Sequence, residues 1–427
     1  MSIDMPDFSP RLAKVSKHRY RIKFLGDGYP GKQLNGEVVP HPIYGIYVIR
    51  DYLFQYKRTK EKKFYKAAVI VADAVINRMM SFKQTLVFWY KVNSPFNSQN
   101  EDYYSALTQA YYAAVFAEMY ELTNNPKFKR TARQVYQSLK IPVVEGGVYH
   151  HSSKGPSIQE YPMEPNGYVL NGWFTAISSV KKYAETFEDP DADQFWRANL
   201  KTIIKLLPLY DAPHLANSRY TLNGTATIKA RFAKTDIELQ QVQLHIPDEG
   251  LYSFSVDSGN TNYDHIIVDR RVAFTEGKIF TKNHNLLLKT LLSRYSFPKE
   301  NELHLKLRSP INTTMQLFIA TPIYSPTPKK RKNKEYLLRT VKIKKGLNNI
   351  VVNIDWKGLE DVGQATTFKH FGSKWHNVYH FIHINRLKEF YEITGDERLL
   401  TYMTKWTKYV NQWPRIPLYN GLESEPY

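Results

Sequence analysis

The stretch YELTNNPKF, residues 120–128, contains the pattern on which the fold prediction depends. A segment with helical periodicity leads up to its tyrosine, a polar turn follows its threonine, and a second helical segment begins near its phenylalanine. The same Tyr-x-x-Thr spacing, followed each time by a short polar turn, recurs at Tyr56, Tyr183 and Tyr391. A helix, a turn rich in Asn, Asp, Gly or Pro, and a second helix form an α-hairpin. The sequence therefore predicts four α-hairpins, with the threonines and nearby Asn or Asp residues as helix caps.

The distances between these repeats locate an insertion. Tyr56, Tyr120 and Tyr183 follow one another at intervals of 64 and 63 residues, whereas Tyr391 comes 208 residues after Tyr183. About 144 residues are therefore inserted before the last hairpin. From Arg219 to about residue 360 the helical period gives way to alternation of apolar and polar residues, as in LHLKLR at 303–308. Seven or more short strands over such a length indicate a β-sandwich or jelly roll.

The predicted fold is mainly α. It is an incomplete (α/α) barrel, or toroid, of helical hairpins with an inserted antiparallel β-sandwich domain. We assign residues 1–39 to an N-terminal arm, residues 40–217 and 361–427 to the barrel, and residues 218–360 to the β domain.

Composition restricts the possible functions. The 427 residues include no cysteine, which excludes disulfide scaffolds, thiolate metal sites and cysteine nucleophiles. The longest apolar stretch, 67–76, is too short to span a bilayer, and the N-terminus lacks the features of a signal peptide. We therefore expect a soluble, cytoplasmic protein. A net charge of +19, about half of it between residues 218 and 360, predicts a polyanionic partner, and the 31 tyrosines can stack on sugars or on bases.

The first candidate site is the sequence EYP at 160–162, which is followed by Pro165 and by YVLNG at 168–172. Two prolines close together favour an extended, ordered loop, here just before a predicted helix. Such a loop can direct the Glu160 carboxylate and the Tyr161 phenol into a cleft. A packed loop with Tyr161 as a wall is the alternative.

The second candidate is WHNVYHFIHIN at 375–385. On a helix His376, His380 and His383 share one face, because they are spaced i, i+4 and i+7. Three imidazoles could bind zinc, but no HExxH motif accompanies them. Contacts to a substrate, a proton network and burial in the core remain the other possibilities. Two further segments are LLPLYD at 206–211, followed by YTLN at 220–223, and YYSALTQ at 103–109.

Together these segments resemble the C-terminal catalytic domain of the D-glucuronyl C5-epimerases, which convert glucuronic to iduronic acid units in heparosan-type polymers. The resemblance covers residues about 100–217 and 361–415. It implies catalytic roles for Glu160, Tyr161 and Tyr379, without a metal or cofactor. It also implies substrate binding by Tyr104, Gln109, Tyr168, Asn171, Tyr210, Tyr220, His380, His383 and Asn385. The implied partner is an acidic polysaccharide rather than nucleic acid, with no membrane insertion and a possible homodimer.

One departure from the family concerns positive charge. The family has an arginine three residues after the tyrosine that corresponds to Tyr220, and Asn223 occupies that place here. Arg219 or Arg231 could substitute for it. Three other functions stay open: a polysaccharide lyase that removes the same C5 proton, a glycoside hydrolase, which needs two facing carboxyl groups, and a non-catalytic protein that binds an acidic glycan or nucleic acid.

Overall fold

The computed structural model describes residues 4–99, 101–233, 237–253, 266–268, 273–275, 278–280, 286–328 and 332–427. Its α-helices are α1 Pro10–Val15, α2 Tyr44–Thr59, α3 Lys62–Ile76, α4 Ala106–Thr123, α5 Pro126–Gln137, α6 Leu170–Phe187, α7 Pro190–Tyr210, α8 Val378–Thr394 and α9 Glu397–Gln412.

Short strands accompany the helices: β1 Ile22–Phe24, β2 Pro30–Leu34, β3 Glu37–Pro40, β4 Met80–Phe82, β5 Thr85–Val87, β6 Tyr149–Ser152, β7 Gly155–Ile158, β8 Asp211–Ala212 and β9 Asn217–Ser218. The strands of the two larger sheets follow as β10 Asn223–Phe232, β11 Glu238–Ile246, β12 Gly250–Ser253, β13 Ile266–Val268, β14 Ala273–Thr275, β15 Lys278–Phe280, β16 Leu286–Ser293, β17 Asn301–Ser309, β18 Thr313–Pro322, β19 Asn333–Ile343 and β20 Gly346–Ile354. The last two strands are β21 Lys369–Phe371 and β22 Lys374–His376.

The predicted helical hairpins are confirmed, and the repeated threonines form hydrogen bonds at the hairpin turns. In three hairpins the threonine hydroxyl donates to the carbonyl four residues earlier and accepts from the backbone N–H two residues later; these are Thr59, Thr123 and Thr394. The hydroxyl thereby joins the end of one helix to the turn that starts the next. Thr186 differs, since it donates to the Glu121 carboxylate instead.

The first helices of the hairpins, α2, α4, α6 and α8, contact one another in sequence order. The residues of α4 are buried almost all round, whereas α5 buries a single stripe at i, i+3, i+4, i+7 and i+8, from Phe128 to Tyr136. This pattern places α4 in an inner row of helices and α5 outside it.

The segment from β10 to β20 forms two antiparallel sheets. Their strand orders are β13-β16-β10-β18-β19 and β14-β15-β11-β17-β20, with β12 paired to β11. Alternate residues of both sheets, among them Ile228, Leu317, Leu244 and Leu305, contribute to one apolar core that is separate from the core of the helices. The turn at 344–345 connects strands of different sheets, because β19 pairs with β18 and β20 pairs with β17.

Two buried arginines attach these sheets to the helices. Arg219 donates to the carbonyls of Glu360, Val362 and Gly363. Arg294 donates to those of Leu359 and Val362. Both side chains therefore bind residues 359–363, the segment that leads from the β sheets back to the helices.

The predicted N-terminal arm folds onto α2. After α1 comes a π-helix at Ser16–Tyr20, and β1, β2 and β3 form a three-stranded sheet. The Tyr52 hydroxyl donates to the Pro6 carbonyl at 2.7 Å, and the Tyr44 hydroxyl donates to the Tyr20 carbonyl at 3.1 Å. Within the described residues, no helix is both long and apolar enough to cross a membrane.

Candidate active site

A cavity of about 530 Å³ lies between the helices and the sheet that contains β10, β16 and β18. Tyr161, Tyr220 and Lys369 line its helical side. Thr225 and Leu291 are among the residues that line it from the sheet. The motif around Glu160 therefore faces a space large enough for a small part of a glycan chain.

The loop that carries Glu160 and Tyr161 is fixed by amide side chains as well as by its prolines. Gln159 bonds to both the carbonyl and the N–H of Met163, at 3.0 and 2.9 Å. Gln99 donates to the Pro162 carbonyl at 3.1 Å, and Asn223 donates to the Asn166 carbonyl at 3.0 Å. The predicted ordered loop is thus confirmed, and Asn223 is one of the residues that hold it.

Glu160 is half-buried, and its carboxyl group is buried against the first turn of α6. A Cβ atom at Gly172 would lie 2.0 Å from the Glu160 Oε2 atom, so that glycine leaves the space that the carboxyl group occupies. Within the described part of the chain, this oxygen has no hydrogen-bond partner. Burial raises the pKa of Glu160 to about 7, while a hydrogen bond from Tyr161 lowers it. The carboxyl group can therefore both accept and donate a proton near neutral pH.

Three of the predicted tyrosines gather around this carboxyl group. The Tyr220 and Tyr379 rings lie 5.1 Å apart. The Glu160 charge, followed by burial, raises the pKa of Tyr161 well above its usual value. Burial raises the pKa values of Tyr220 and Tyr379, whereas Arg19 lowers that of Tyr379. At neutral pH all three hydroxyl groups carry their protons and are available as hydrogen-bond donors.

Tyr379 takes its position from the start of α8. The Asn377 side chain caps this helix by accepting from the His380 N–H at 3.3 Å, and its amide group donates to the Thr366 hydroxyl at 3.0 Å. Asn377 is completely buried. The cap therefore fixes the first turn of α8, and with it the direction of the Tyr379 side chain.

The histidines of the second motif do not lie with these tyrosines. His376 belongs to β22 rather than to α8, so the expected three-histidine helix face does not form. His380 and His383 are fully buried, and Ser218 Oγ lies 2.7 and 2.8 Å from their Nδ1 atoms. Burial lowers the pKa of His380 to about 4 and that of His383 well below its usual value. They are neutral core histidines in a hydrogen-bond network.

Four other residues that were predicted to bind substrate have their polar groups engaged inside the fold. The hydroxyl of Tyr104 donates to the Ser138 carbonyl, and the amide of Gln109 bonds to Phe88, Leu86 and Ser138. Tyr210 donates to the Tyr168 carbonyl, and Tyr168 donates to Glu249, each at 2.8 Å. The hydrogen-bonding groups of these four residues therefore contact other parts of the protein, in the core or at the junction between the helices and the sheets.

Asn171 and Asn385 lie in contrasting positions. Asn171 is buried in the first turn of α6, next to Gly172, and its Oδ1 atom has no partner among the described residues. Asn385 is exposed on α8, six residues beyond Tyr379 and on another side of that helix. Asn171 thus directly precedes the glycine against which the Glu160 carboxyl group packs, whereas Asn385 lies on an exposed face of α8.

Neither arginine that was considered as a substitute for the family arginine reaches the cavity. Arg219 is buried at the junction, where burial and then Arg294 lower its pKa to about 9. Arg231 is exposed and its guanidinium lies 4.9 Å from the centre of the Phe318 ring. Positive charge near the tyrosines comes instead from Lys369, whose Nζ atom is 5.9 Å from the centre of the Tyr379 ring, and from Arg19.

Arg19 and Lys369 were not predicted to belong to the site, and in the candidate segment at 103–109 the predicted residues were Tyr104 and Gln109 rather than Tyr103. The Tyr103 ring lies 6.2 Å from that of Tyr161 and stacks on Tyr90, with 5.0 Å between their centres. Tyr103 pairs with Tyr90 in an isolated bridge just before α4. In such extended chain, neighbouring side chains point to opposite sides, so Tyr103 faces the site and Tyr104 faces the core.

Within the part of the chain that the structure describes, one cluster has the donor atoms of a divalent-metal site. It consists of His245, Glu302 and His304, whose candidate ligand atoms lie within 4.8 Å of one another. Glu302 Oε2 is already 3.1 Å from His245 Nδ1 and 2.9 Å from His304 Nε2. The cluster belongs to β11 and β17, in the other sheet from the strands that line the cavity, and is not part of the candidate active site.

Comparisons with known proteins give the following similarities. An uncharacterized protein of Methanocaldococcus jannaschii is 24% identical over 201 residues, which is 43% of this chain and 64% of the relative. The D-glucuronyl C5-epimerase of Caenorhabditis elegans is 25% identical over 144 residues, 30% of this chain and 23% of that enzyme. Each match thus spans less than two thirds of the relative's own length.

Among solved structures, a GH76 α-mannanase of Bacteroides thetaiotaomicron aligns with a TM-score of 0.31 and 13% identity, over 45% of this chain and 46% of that one. The family described as D-glucuronyl C5-epimerase C-terminus matches residues 78–258, which include the Glu160 loop and Tyr220. Tyr379 lies outside the matched residues. The resemblance that the motifs indicate is therefore confirmed: residues 78–258 are similar to the D-glucuronyl C5-epimerase C-terminal family.

Proposed function

We propose that this protein is a polysaccharide uronate C5-epimerase that converts D-glucuronate to L-iduronate units in a heparosan-like polymer. The observation that carries the proposal is the buried Glu160 carboxyl group, with a pKa of about 7, in one cluster with the hydroxyl groups of Tyr161 and Tyr379. The two tyrosines come from different elements, a loop before α6 and the first turn of α8, as a reaction on two faces of one sugar requires.

The chemistry is a proton removed from C5 and a proton returned to the other face. As the C5–H bond breaks, its electron pair moves into the adjacent carboxylate to give an enolate-like intermediate. The proton passes to the Tyr161 oxygen while the Tyr161 proton passes to Glu160, and Tyr379 then gives its proton to C5. This leaves Glu160 protonated and Tyr379 as a phenolate, and exchange with water restores both.

The charges of the cluster favour this direction of transfer. Ionisation of Tyr161 beside an ionised Glu160 would bury two negative charges together, which raises the pKa of the tyrosine. Transfer through Tyr161 to Glu160 avoids that state, because one proton arrives as the other leaves. Burial raises the pKa of Tyr379, but Arg19 opposes that rise and so stabilises the phenolate that remains after the second step.

The family match supports an epimerase-type activity, and the charge of the chain supports an acidic polymer as its substrate. A hydrolase would need a second carboxyl group facing Glu160. The other acid of the motif, Glu164, is exposed on the loop. We also propose residues 218–360 as a separately folded β module beside this site, with residues 40–217 and 361–427 as the catalytic domain.

The direct test is incubation of the protein with heparosan in deuterated water, followed by NMR. An epimerase gives iduronate with deuterium at C5 and leaves the polymer length unchanged. A lyase gives shorter chains with the ultraviolet absorbance of a C4–C5 double bond, a hydrolase gives new reducing ends, and a binding protein gives no exchange. Any of these last three results contradicts the proposal.

Matched tyrosine variants connect the reaction to the site. Tyr379→Phe removes a hydroxyl group of the cluster, whereas Tyr104→Phe removes one that is bonded to the Ser138 carbonyl in the core. We expect the first variant to lose epimerisation and the second to keep it. Equal loss in both would indicate that the hydroxyl groups act only through folding.

A further inference from the structure

Two cations, Arg19 and Lys369, lie close to the cluster formed by Tyr161, Tyr220 and Tyr379, although they are 350 residues apart in sequence. Lys369 lies in β21 and lines the cavity, with its Nζ atom 5.9 Å from the centre of the Tyr379 ring. Arg19 lies in the π-helix of the N-terminal segment, and its guanidinium is 4.9 Å from the centre of the Phe371 ring in the same strand. The contact between this π-helix and the turn after β21 also includes His18 and Gly372.

These cations continue into a wider basic group. Lys32 in β2 pairs with Ile22 in β1, which follows Arg21 directly. Burial and then the charges of Arg19 and Arg21 lower the pKa of Lys32, while burial and then Arg19 lower that of Lys369. Arg19 is therefore close enough to repel both lysines, and Arg21 is close enough to repel Lys32.

Among the residues that the structure describes, none of these four cations forms an ion pair with an acidic side chain. Many other lysines and arginines of the chain do so, for instance Arg78 with Asp27 and Lys405 with Asp211. Arg19, Lys32 and Lys369 are partly buried, whereas Arg21 is exposed. Partly buried like charges without an opposite charge are unfavourable, and such groups beside a cleft indicate a binding site. An anion placed among them would remove the repulsion.

The geometry also suggests which anion suits the position. A carboxylate accepts two parallel hydrogen bonds from one guanidinium and a further bond from an ammonium group. Negative charge develops on the uronate carboxylate as C5 loses its proton, so cations next to Tyr379 would favour both binding and proton removal. Asn223 cannot supply this charge, because its side chain is neutral and holds the Glu160 loop.

We infer that Arg19 and Lys369 bind the carboxylate of the reacting uronate, and that Arg21 and Lys32 extend this site toward a neighbouring acidic unit of the polymer. The inference rests on the proposed function, which it deepens by naming the groups that select an acidic sugar. It also gives the N-terminal segment, outside the matched residues 78–258, a part in the site.

The test measures binding separately from turnover. The probes are a heparosan hexasaccharide and the same hexasaccharide with its carboxyl groups reduced to alcohols, each titrated calorimetrically into the full chain. The variants are Arg19→Gln and Lys369→Gln, with Lys17→Gln as the matched control, because Lys17 is an exposed cation of the same π-helix. Thermal unfolding of every variant checks that folding is retained.

We expect the wild type to bind the acidic hexasaccharide at least about tenfold more tightly than the reduced one. A hydrogen bond to a charged group contributes about 1.5–3 kcal/mol, so each site variant should lose on the order of 10- to 100-fold in affinity for the acidic probe. Affinity for the reduced probe should stay unchanged, and Lys17→Gln should bind both probes as the wild type does.

Several results would overturn the inference. The inference would be wrong if both site variants bound the acidic probe as tightly as the wild type does, or if they lost affinity equally for the two probes. It would also be wrong if Lys17→Gln lost as much affinity as the site variants, or if the wild type bound neither probe. Epimerase activity is measured in parallel with the deuterium assay. Selective binding without epimerisation would refute the proposed reaction and leave the anion site standing. Epimerisation with equal affinity for the two probes would refute the anion site and leave the proposed reaction standing.

Discussion

Replacement of Glu160 by glutamine should abolish epimerisation and at the same time stabilise the fold at high pH. The side chain keeps its shape but can no longer accept a proton, and loss of a general base typically costs 10²–10⁴-fold in rate. The stability gain arises because burial raises the pKa of Glu160 in the folded protein to about 7, from an ordinary value of 4.5. Because the folded state binds the proton more tightly than the unfolded state does, stability falls as the pH rises through this window.

The size of this effect follows from the two pKa values. A pKa that is higher by about 2.5 in the folded protein, at about 1.4 kcal/mol for each unit, corresponds to about 3.5 kcal/mol at most. The free energy of unfolding of the variant minus that of the wild type should therefore be up to about 3 kcal/mol larger at pH 8 than at pH 4.5. A change in packing caused by the glutamine shifts the stability by the same amount at every pH, so it cancels when the stability difference is compared between two pH values.

A matched control is available in Glu249, whose pKa burial also raises to about 7. This carboxyl group bonds to the Tyr168 hydroxyl at the junction with the β sheets. Glu249→Gln should show the same sign of pH-dependent stabilisation and keep its epimerase activity. Urea unfolding at several pH values and the deuterium assay measure the two properties. Full activity in Glu160→Gln, or a stability difference that does not change with pH, would refute the reasoning.

Three further expectations follow from the same contacts. Tyr161→Phe and Tyr379→Phe should each lower net epimerisation by 10²–10⁴-fold with an unchanged melting temperature, and activity in both would contradict the two-tyrosine assignment. Tyr104→Phe should keep its activity and lose about 0.5–1.5 kcal/mol in urea unfolding, because the Ser138 carbonyl loses one of its two donors and keeps the Ile141 N–H. Gly172→Ala should abolish activity, since the added methyl group occupies the position of the Glu160 carboxyl group; an active variant with a normal pH profile would contradict that placement.

The sequence was a good guide wherever the deciding interactions are local. The Tyr-x-x-Thr repeats predict the hairpins because the threonine contacts residues only two and four positions away. The Glu160 motif predicts an ordered loop for the same reason, although the hydrogen bonds of Gln99 and Asn223 to it come from distant segments. Tyr161, Tyr220 and Tyr379 come together as the resemblance implies.

Residues whose neighbours are distant in sequence were not predictable in the same way. Periodicity places His380 and His383 on one face of a helix, but it does not tell whether that face meets the cavity or the core. The face meets the core, where Ser218, 162 residues before His380, lies within hydrogen-bond distance of both rings. Arg19 lies in a segment without clear periodicity, and its position beside Tyr379 depends on how the N-terminal segment packs on β21.

The pKa order within the cluster determines which group should set the pH dependence of the reaction. Tyr161 cannot ionise appreciably near neutral pH, because the adjacent Glu160 charge opposes it first and burial opposes it further. Glu160 changes protonation near pH 7 and can take the proton only when ionised. Abstraction by this pair should therefore increase as the pH rises through about 7, without any ionisation of tyrosine in that range. A rate that instead rises only near pH 10 would mean that a free phenolate is the base, and the relay through Glu160 would be wrong.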